Sequence, residues 1–383
     1  MDRLIYTGAR IFDGVALHGN RALVVEDGKI SAIVPASAAP EGARVALAGG
    51  VLAPGFVDLQ VNGGGGIMLD GEAGVAEIAT ICAAHARLGA TSILPTLITD
   101  TPAATRSVLA ASVAAVGRVP GFLGLHLEGP HLDIRRNGAH DAALIRPMME
   151  EDLEILLEAK AGLPALFVTV APAAVTLRQI EALERAGIFV SLGHAECTLS
   201  QARAAHGAGA RGVTHLFNAM SQFTSREPGL VGAALSLPLH VGLIADGVHV
   251  HAESIRLALS AKAEGEIYLV SDAMAVAGSD ADEFTLGGRT IWRKDRALRL
   301  ADGTLAGADL SLPQAVKFMI EVVGLAPERA LAMASRTPAQ IVGVQAGTLA
   351  PGAPADFVLL SDDWELQQVW RAGQPLQAKS STA

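Results

Sequence analysis

Cysteine is nearly absent from this chain of 383 residues: Cys82 and Cys197 are too few for the disulfide framework of a small secreted domain. Aromatic residues make up only 4%, so the core must be filled with aliphatic side chains, and 50% of all residues are hydrophobic. Charged residues are also sparse, at 18%, with 29 basic against 39 acidic groups and a formal net charge of -10. No basic stripe interrupts that balance, which argues against a nucleic-acid partner, since phosphate backbones demand one. No run of about twenty uninterrupted apolar residues suggests a membrane span. The start, MDRLIYTGARIFDG, lacks the apolar core of a secretory leader. Together these absences predict a compact cytoplasmic protein, long enough for one large domain and a small accessory one.

What is present is a repeated alternation of apolar strands and alanine-rich helical stretches. The strand candidates are VLAPGFVDLQ, TSILPTLIT, GFLGLHLEGP, ALFVTVAP, GIFVSLGH, GVTHLF, HVGLIADG and EIYLVSDA. Their near-continuous hydrophobicity fits parallel strands covered on both faces, with helices such as EAGVAEIATICAAHARLG and TLRQIEALERAG between them. The expected fold is α/β, a (β/α)8 TIM-like barrel over residues 51–342. Residues 1–50 instead carry short alternating strands and an Asp27-Gly28 hairpin signal, and residues 343–383 have the same texture. The two ends are therefore expected to build one small β-sandwich domain, with AKSSTA as a frayed tail.

Four polar residues end four of these strands: Glu128, His194, His215 and Asp272. In a (β/α)8 barrel every strand delivers its last residue to one rim, so groups remote in sequence converge. Each alone reads as a satisfied polar residue at a strand end. All four at one structural position read as metal ligands with a proton shuttle. A carboxylate and two imidazoles suit a borderline cation such as zinc or iron(II), and three ligands leave a position open for catalysis. Water bound there becomes a nucleophile near neutral pH. An amine leaves an amide only when protonated, and Asp272 is placed to move that proton. The alternative for Asp272 is support of a metal-bound histidine.

Taken in order, PGFVDLQVNGGGG, HLEGPHL, RNGAH, SLGHAECT, THLFNAM, REPGLVGA, IADGVHV and SDAMAVAG resemble the N-acetylglucosamine-6-phosphate deacetylase family of the amidohydrolase superfamily. TLAPGAPADFVLL resembles the superfamily's closing strands, and the likeness runs from about residue 1 to 375. It implies hydrolysis of N-acetyl-D-glucosamine 6-phosphate to D-glucosamine 6-phosphate and acetate in amino-sugar recycling. Where many amidohydrolases carry His-x-His to hold a second metal, this chain has Gln60-Val61-Asn62. Neutral amides are weaker donors, so one divalent ion per subunit is expected, zinc first, with Gln60 and Asn62 free to help bind substrate.

The resemblance also implies substrate contacts. His140 matches the histidine that polarises the acetyl carbonyl, and Ala139 a backbone contact to the sugar. Asn218 and Ala219 match sugar and phosphate contacts, His249 the phosphate-side histidine, and Leu305, Ala306 and Gly307 a loop over the substrate. Arg226, in REPG, matches an arginine supplied across a homodimer interface to the phosphate. Glu196 and Cys197 depart from the small polar residues expected after Gly-His, which bears on the surroundings of the metal. Two other readings remain open: a deacetylase of N-acetylgalactosamine 6-phosphate or another amide hydrolase of this superfamily, and a non-catalytic sugar-phosphate sensor. His126 is expected to line the barrel, and His85, His206 and His251 to be structural.

Overall fold

The fold was obtained as a computed structural model, which describes residues 3–376. The tail AKSSTA lies outside the described residues. Eight strands form one sheet in chain order: β1 (Val57–Val61), β2 (Ser92–Ile98), β3 (Gly124–Glu128), β4 (Ala165–Val170), β5 (Phe189–Leu192), β6 (Gly212–Val213), β7 (His240–Leu243) and β8 (Ile267–Leu269). From β2 to β8 each strand runs parallel to the next. The circle closes just past β8, where Asp272 N–H donates to Gln60 O (3.0 Å) and Asn62 N–H to Ala273 O (2.8 Å). The expected barrel is therefore present, and it closes at the rim that carries Asp272.

Two-sided burial explains the continuous apolar runs: β1, β3, β4 and β5 are buried along their whole length. Alternation along β3 sends His126 and Glu128 to the same face. Beneath Glu128, His126 Nε2 meets Thr169 Oγ1 (2.8 Å), which meets Thr214 Oγ1 (2.7 Å), which meets Ser191 Oγ (2.7 Å). This buried layer ties β3, β4, β5 and the residue after β6 by hydrogen bonds, so none of its polar atoms is stranded. Two of the following helices, Leu177–Arg185 and Leu199–Gly207, begin with capping boxes, Thr176 with Gln179 and Thr198 with Gln201. The second places its N-cap, Thr198, four residues after His194 and keeps that connection short.

Two expectations are corrected in detail. The run VLAPGFVDLQ is two strands, because Val51–Pro54 pairs with Phe357–Leu360 and with Arg10–Ile11, not with the barrel. The break falls at Gly55, where an added Cβ would lie 2.0 Å from Thr91 Oγ1. Leu305–Gly307 is not a loop: it opens the last strand, Leu305–Ala308, of a four-stranded meander with Glu283–Leu286, Arg289–Lys294 and Ala297–Arg299. That meander packs Ile291, Leu298 and Ala306 against Met274 and Val276, which gives its alternating side chains a core of their own. After the meander, the helix starting at Leu312 widens into a π turn over Met319–Val323.

The chain divides into two compact units. One comprises Leu59–Ala84 and Ile93–Leu310; the other takes the described residues of Met1–Asp58, His85–Ser92 and Ser311–Ala383. In the second, a four-stranded sheet from residues 3–46 and a six-stranded sheet drawing on both ends of the chain share one apolar core, the expected sandwich. Its hairpin turns at Asp27 (φ 49°) and Gly28 (φ 75°), two successive positive φ values that suit a two-residue turn. In the core, Phe357 stacks on Trp370 (4.9 Å) and meets Tyr6 edge-on (5.0 Å). Phe357→Ala should therefore destabilise this unit by about 3–5 kcal/mol, read from denaturant unfolding, whereas an exposed change such as Val15→Ala should cost under about 0.5 kcal/mol.

Candidate functional site

Glu128 ends β3 and lies on the barrel axis side, while His194, His215 and Asp272 follow β5, β6 and β8. The last three adopt positive φ, at 45°, 30° and 52°. Leaving the extended region abruptly at a strand end costs backbone energy and turns the side chain over the barrel mouth. The result is a tight triangle. Glu128 Oε1 lies 3.0 Å from His215 Nε2 and 3.4 Å from His194 Nε2, and the two nitrogens are 3.0 Å apart. Ligand bonds of about 2.0–2.1 Å around a tetrahedral ion put neighbouring ligand atoms roughly 3.3 Å apart, so the triangle has the right size. Its chemistry fits as well: His194 Nδ1 sits 2.8 Å from the Arg136 carbonyl oxygen, which can only accept, so Nδ1 donates to it and Nε2 is the nitrogen turned to the triangle.

Gln60 and Asn62 sit where the closing strand meets this triangle. Gln60 Nε2 donates to Glu128 Oε1 (2.9 Å) and to Asp272 Oδ1 (3.2 Å), and Asn62 Nδ2 donates to the same Asp272 oxygen (2.7 Å). Asn62 Oδ1 is buried without a partner. Burial opposes charge on Glu128, but hydrogen bonds from His194 and His215 and their positive character outweigh it and hold the carboxyl well below the usual range. Asp272 goes the other way: burial and the nearby Glu128 charge push it up to about 6. For His140, burial and then His194 push the ring down to about 3, so it is neutral.

These groups open into one cavity of about 400 Å³, within the range of small-molecule sites. Of the expected substrate residues, Asn62, Ala139, His140, Asn218, Ala219, His249, Leu305 and Gly307 line it together with the triangle and Asp272. Three do not. Gln60 lies behind the carboxylates it bridges, Ala306 is buried in the meander core, and Arg226 is on an exposed loop outside the cavity. Arg135, Arg136 and Thr304 also line the cavity and were not singled out from sequence. The two arginines stand inside the stretch that ends in RNGAH, so adjacency to His140 was the available signal. Asp246, within IADGVHV, was likewise passed over; its Oδ2 holds His249 Nδ1 at 2.6 Å.

The departures at Glu196 and Cys197 resolve differently. Glu196 pairs with Arg136 Nε (2.5 Å), the residue whose carbonyl orients His194, so it does reach the surroundings of the ligands. Cys197 is buried, its N–H bonded to Ser221 Oγ, and burial pushes the thiol up to about 11, which makes it inert. His126 is fully buried, and burial pushes it down to about 4, consistent with a neutral member of the barrel lining. His85 and His206 are helical as expected, whereas His251 precedes its helix and caps it by accepting from Glu253 N–H (3.2 Å).

Comparison with known proteins matches residues 51–376 to the Amidohydrolase family. The chain belongs to that family. It is 38% identical to an N-acetylgalactosamine-6-phosphate deacetylase of Shewanella sp. (strain ANA-3), over 97% of this chain and 96% of the relative. It is 37% identical to the human N-acetylglucosamine-6-phosphate deacetylase, over 85% of this chain and 83% of the relative. Among solved structures, N-acetylglucosamine-6-phosphate deacetylase from Pasteurella multocida superposes with a TM-score of 0.93 at 32% identity, covering 98% of this chain and 99% of that one. Amidohydrolases are hydrolases that act on amides and are generally metal-dependent, and among the described residues the Glu128, His194 and His215 group is the one that can hold an ion.

The electrostatics set a pH dependence for the metal-free chain. Asp272 has a folded pKa above its ordinary value of 3.8, so the folded state binds this proton more tightly than the unfolded state does. Its charge therefore costs stability above about pH 6, by at most about 3 kcal/mol, and the cost fades as pH falls from about 6 towards 4. Asp272→Asn should raise the melting temperature of metal-stripped protein at pH 8 and raise it clearly less at pH 5. An equal gain at both pH values would show that the raised pKa is absent.

Proposed function

We propose that this chain removes the acetyl group of N-acetyl-D-glucosamine 6-phosphate, giving D-glucosamine 6-phosphate and acetate, with one divalent ion held by Glu128, His194 and His215. Zinc is the first choice for that donor set, with iron(II) next. The observation that carries the reading is the pairing, in one cavity, of a neutral His140 with an Asp272 poised near pH 6 beside the ligand triangle. A bound ion supplies Lewis acidity to the amide carbonyl and to the attacking water. Asp272, with Oδ1 committed to Gln60 and Asn62, takes the water proton and returns it to the departing nitrogen. His140 donates to the carbonyl oxygen as charge develops there. His249, held by Asp246, receives the phosphate with Asn218 and Ala219, while Ala139, Leu305 and Gly307 bound the sugar.

A second reading is favoured by a specific observation: the relative with 38% identity is named for the galacto substrate. The epimers differ in one hydroxyl orientation, and initial rates of acetate release on each decide between them. The proposed setting is the cytoplasm, where phosphorylated amino sugars are retained by their charge. No helix of the described residues is long and apolar enough to cross a membrane.

The exposed position of Arg226 supports a role away from its own cavity. We place it on the phosphate of a neighbouring subunit in a twofold homodimer. Arg226→Ala should weaken binding of the phosphorylated sugar and leave the unphosphorylated one nearly unchanged. Mixing it with Asp272→Asn should restore one working site per heterodimer, since the intact arginine then serves the intact acid. Verified heterodimers without activity would tie Arg226 to its own subunit or to no role.

The chemistry itself is tested by two measurements on purified protein. Elemental analysis should find about one divalent ion per chain, and two tightly held ions at full activity would sink the single-metal reading. Asp272→Asn should lose roughly 10²–10⁴-fold in acetate release while substrate still binds.

A further inference from the structure

Two donors from one residue converge on a single ring nitrogen of His140. The Thr99 main-chain N–H points at His140 Nδ1 (3.3 Å), and Thr99 Oγ1 lies 2.8 Å from the same atom. A main-chain N–H can only donate, so Nδ1 must be the acceptor, and the hydroxyl, which can act either way, donates too. The competing acceptor for that hydroxyl, Glu128 O, is 3.5 Å away, too far to win the proton. A neutral imidazole whose Nδ1 accepts carries its proton on Nε2. His140 Nε2 stands 3.8 Å from Glu128 Oε2, beside the ligand triangle.

The surroundings are built to hold this arrangement. Thr99 directly follows β2, and both Thr99 and His140 are buried. Gly129, next to Glu128, leaves the space Thr99 occupies: a Cβ at that position would lie 2.2 Å from Thr99 Oγ1, and its φ of 93° independently disfavours a side chain. The His140 ring packs edge-on to His194 at 4.3 Å, which fixes its plane.

We propose that Thr99 is the positioning residue that fixes His140 in the tautomer bearing its proton on Nε2, so that a carbonyl oxygen in the cavity meets an N–H donor and not a lone pair. The inference deepens the deacetylase reading and rests on it for the identity of that carbonyl; the tautomer itself is a property of the chain. The hydroxyl adds a second donor to the main-chain one, so deleting it weakens the preference without reversing it, and the fall in turnover should be smaller than for loss of His140.

The test uses the full-length protein labelled with nitrogen-15 at histidine, metal-stripped for spectroscopy and zinc-loaded for kinetics. The His140 ring, assigned by its disappearance in His140→Gln, should show a protonated Nε2 and an unprotonated Nδ1 at pH 7. Thr99→Val keeps the main-chain N–H and deletes the hydroxyl; it should shift the Nδ1 resonance and lower kcat about tenfold, with KM nearly unchanged. Thr99→Ser should restore both. A protonated Nδ1 in the unsubstituted protein overturns the proposal, as does a Thr99→Val protein whose ring spectrum is unchanged, whatever its kcat. If the unsubstituted protein releases no acetate from either epimer, the deacetylase reading fails, and the ring spectrum still decides the tautomer.

Discussion

A carboxylate buried at the mouth of a barrel must be met by positive charge or by donors, and Glu128 imposes that demand on every group around it. Burial alone would keep it protonated, yet His194 and His215 hold it in the charged form. In the metal-free chain those two imidazoles are drawn to one carboxylate oxygen, with His215 pushed up against the cost of its own burial by Glu128. A divalent cation meets the same demand more fully, because it satisfies the carboxylate and both nitrogen lone pairs at once. The triangle is thus a place where folding gathers a carboxylate and two imidazole nitrogens around one point, the donor set that a divalent cation takes.

The barrel converts this local demand into a site by controlling strand ends. His194, His215 and Asp272 all leave the extended region at positive φ, where non-glycine residues are uncommon. The strain persists because the flanking backbone is fixed: β5 and β6 are held in register by the sheet, and Asp272 N–H is itself part of the bond pattern that closes the barrel. Closure and chemistry therefore share a residue. The recognition of an anion follows a similar local logic. A chain of net charge -10 gains nothing from long-range attraction, so in the proposed reaction the positive potential must come at short range, and Arg135 and Arg136 stand at the cavity wall.

The barrel and the ligand triangle were legible because their signals are strong and local. A strand covered on both sides must be continuously apolar, so a Glu or His at its end stands out, as at Glu128 and His194. The Asp27-Gly28 turn was readable for the same reason, since two positive φ values leave few residue choices. The meander over 283–308 was not, because its strands are short, half-exposed and interleaved with charged residues, and no periodicity rises above the background. Arg136 was missed for another reason: its contribution to His194 is a main-chain carbonyl, which every residue carries. Thr99 was passed over because it follows an apolar strand as an ordinary threonine, and only the fold brings it to His140.

Gln60 and Asn62 show how the two carboxylates can share so small a space. Side by side and buried, Glu128 and Asp272 repel, and that repulsion is part of what lifts Asp272 to about 6. An imidazole pair at these positions would invite a second cation, which would pull Asp272 down and leave it a poor base at neutral pH. The amides instead offer neutral N–H donors: Gln60 Nε2 bridges the two carboxylates, and Asn62 adds a second bond to Asp272 Oδ1. They keep the carboxylates in fixed positions without cancelling their charge. In the proposed reaction Asp272 would then be basic enough to accept a proton from water and acidic enough to give it up to an amine, the range a single carboxylate needs to serve both halves of an amide hydrolysis.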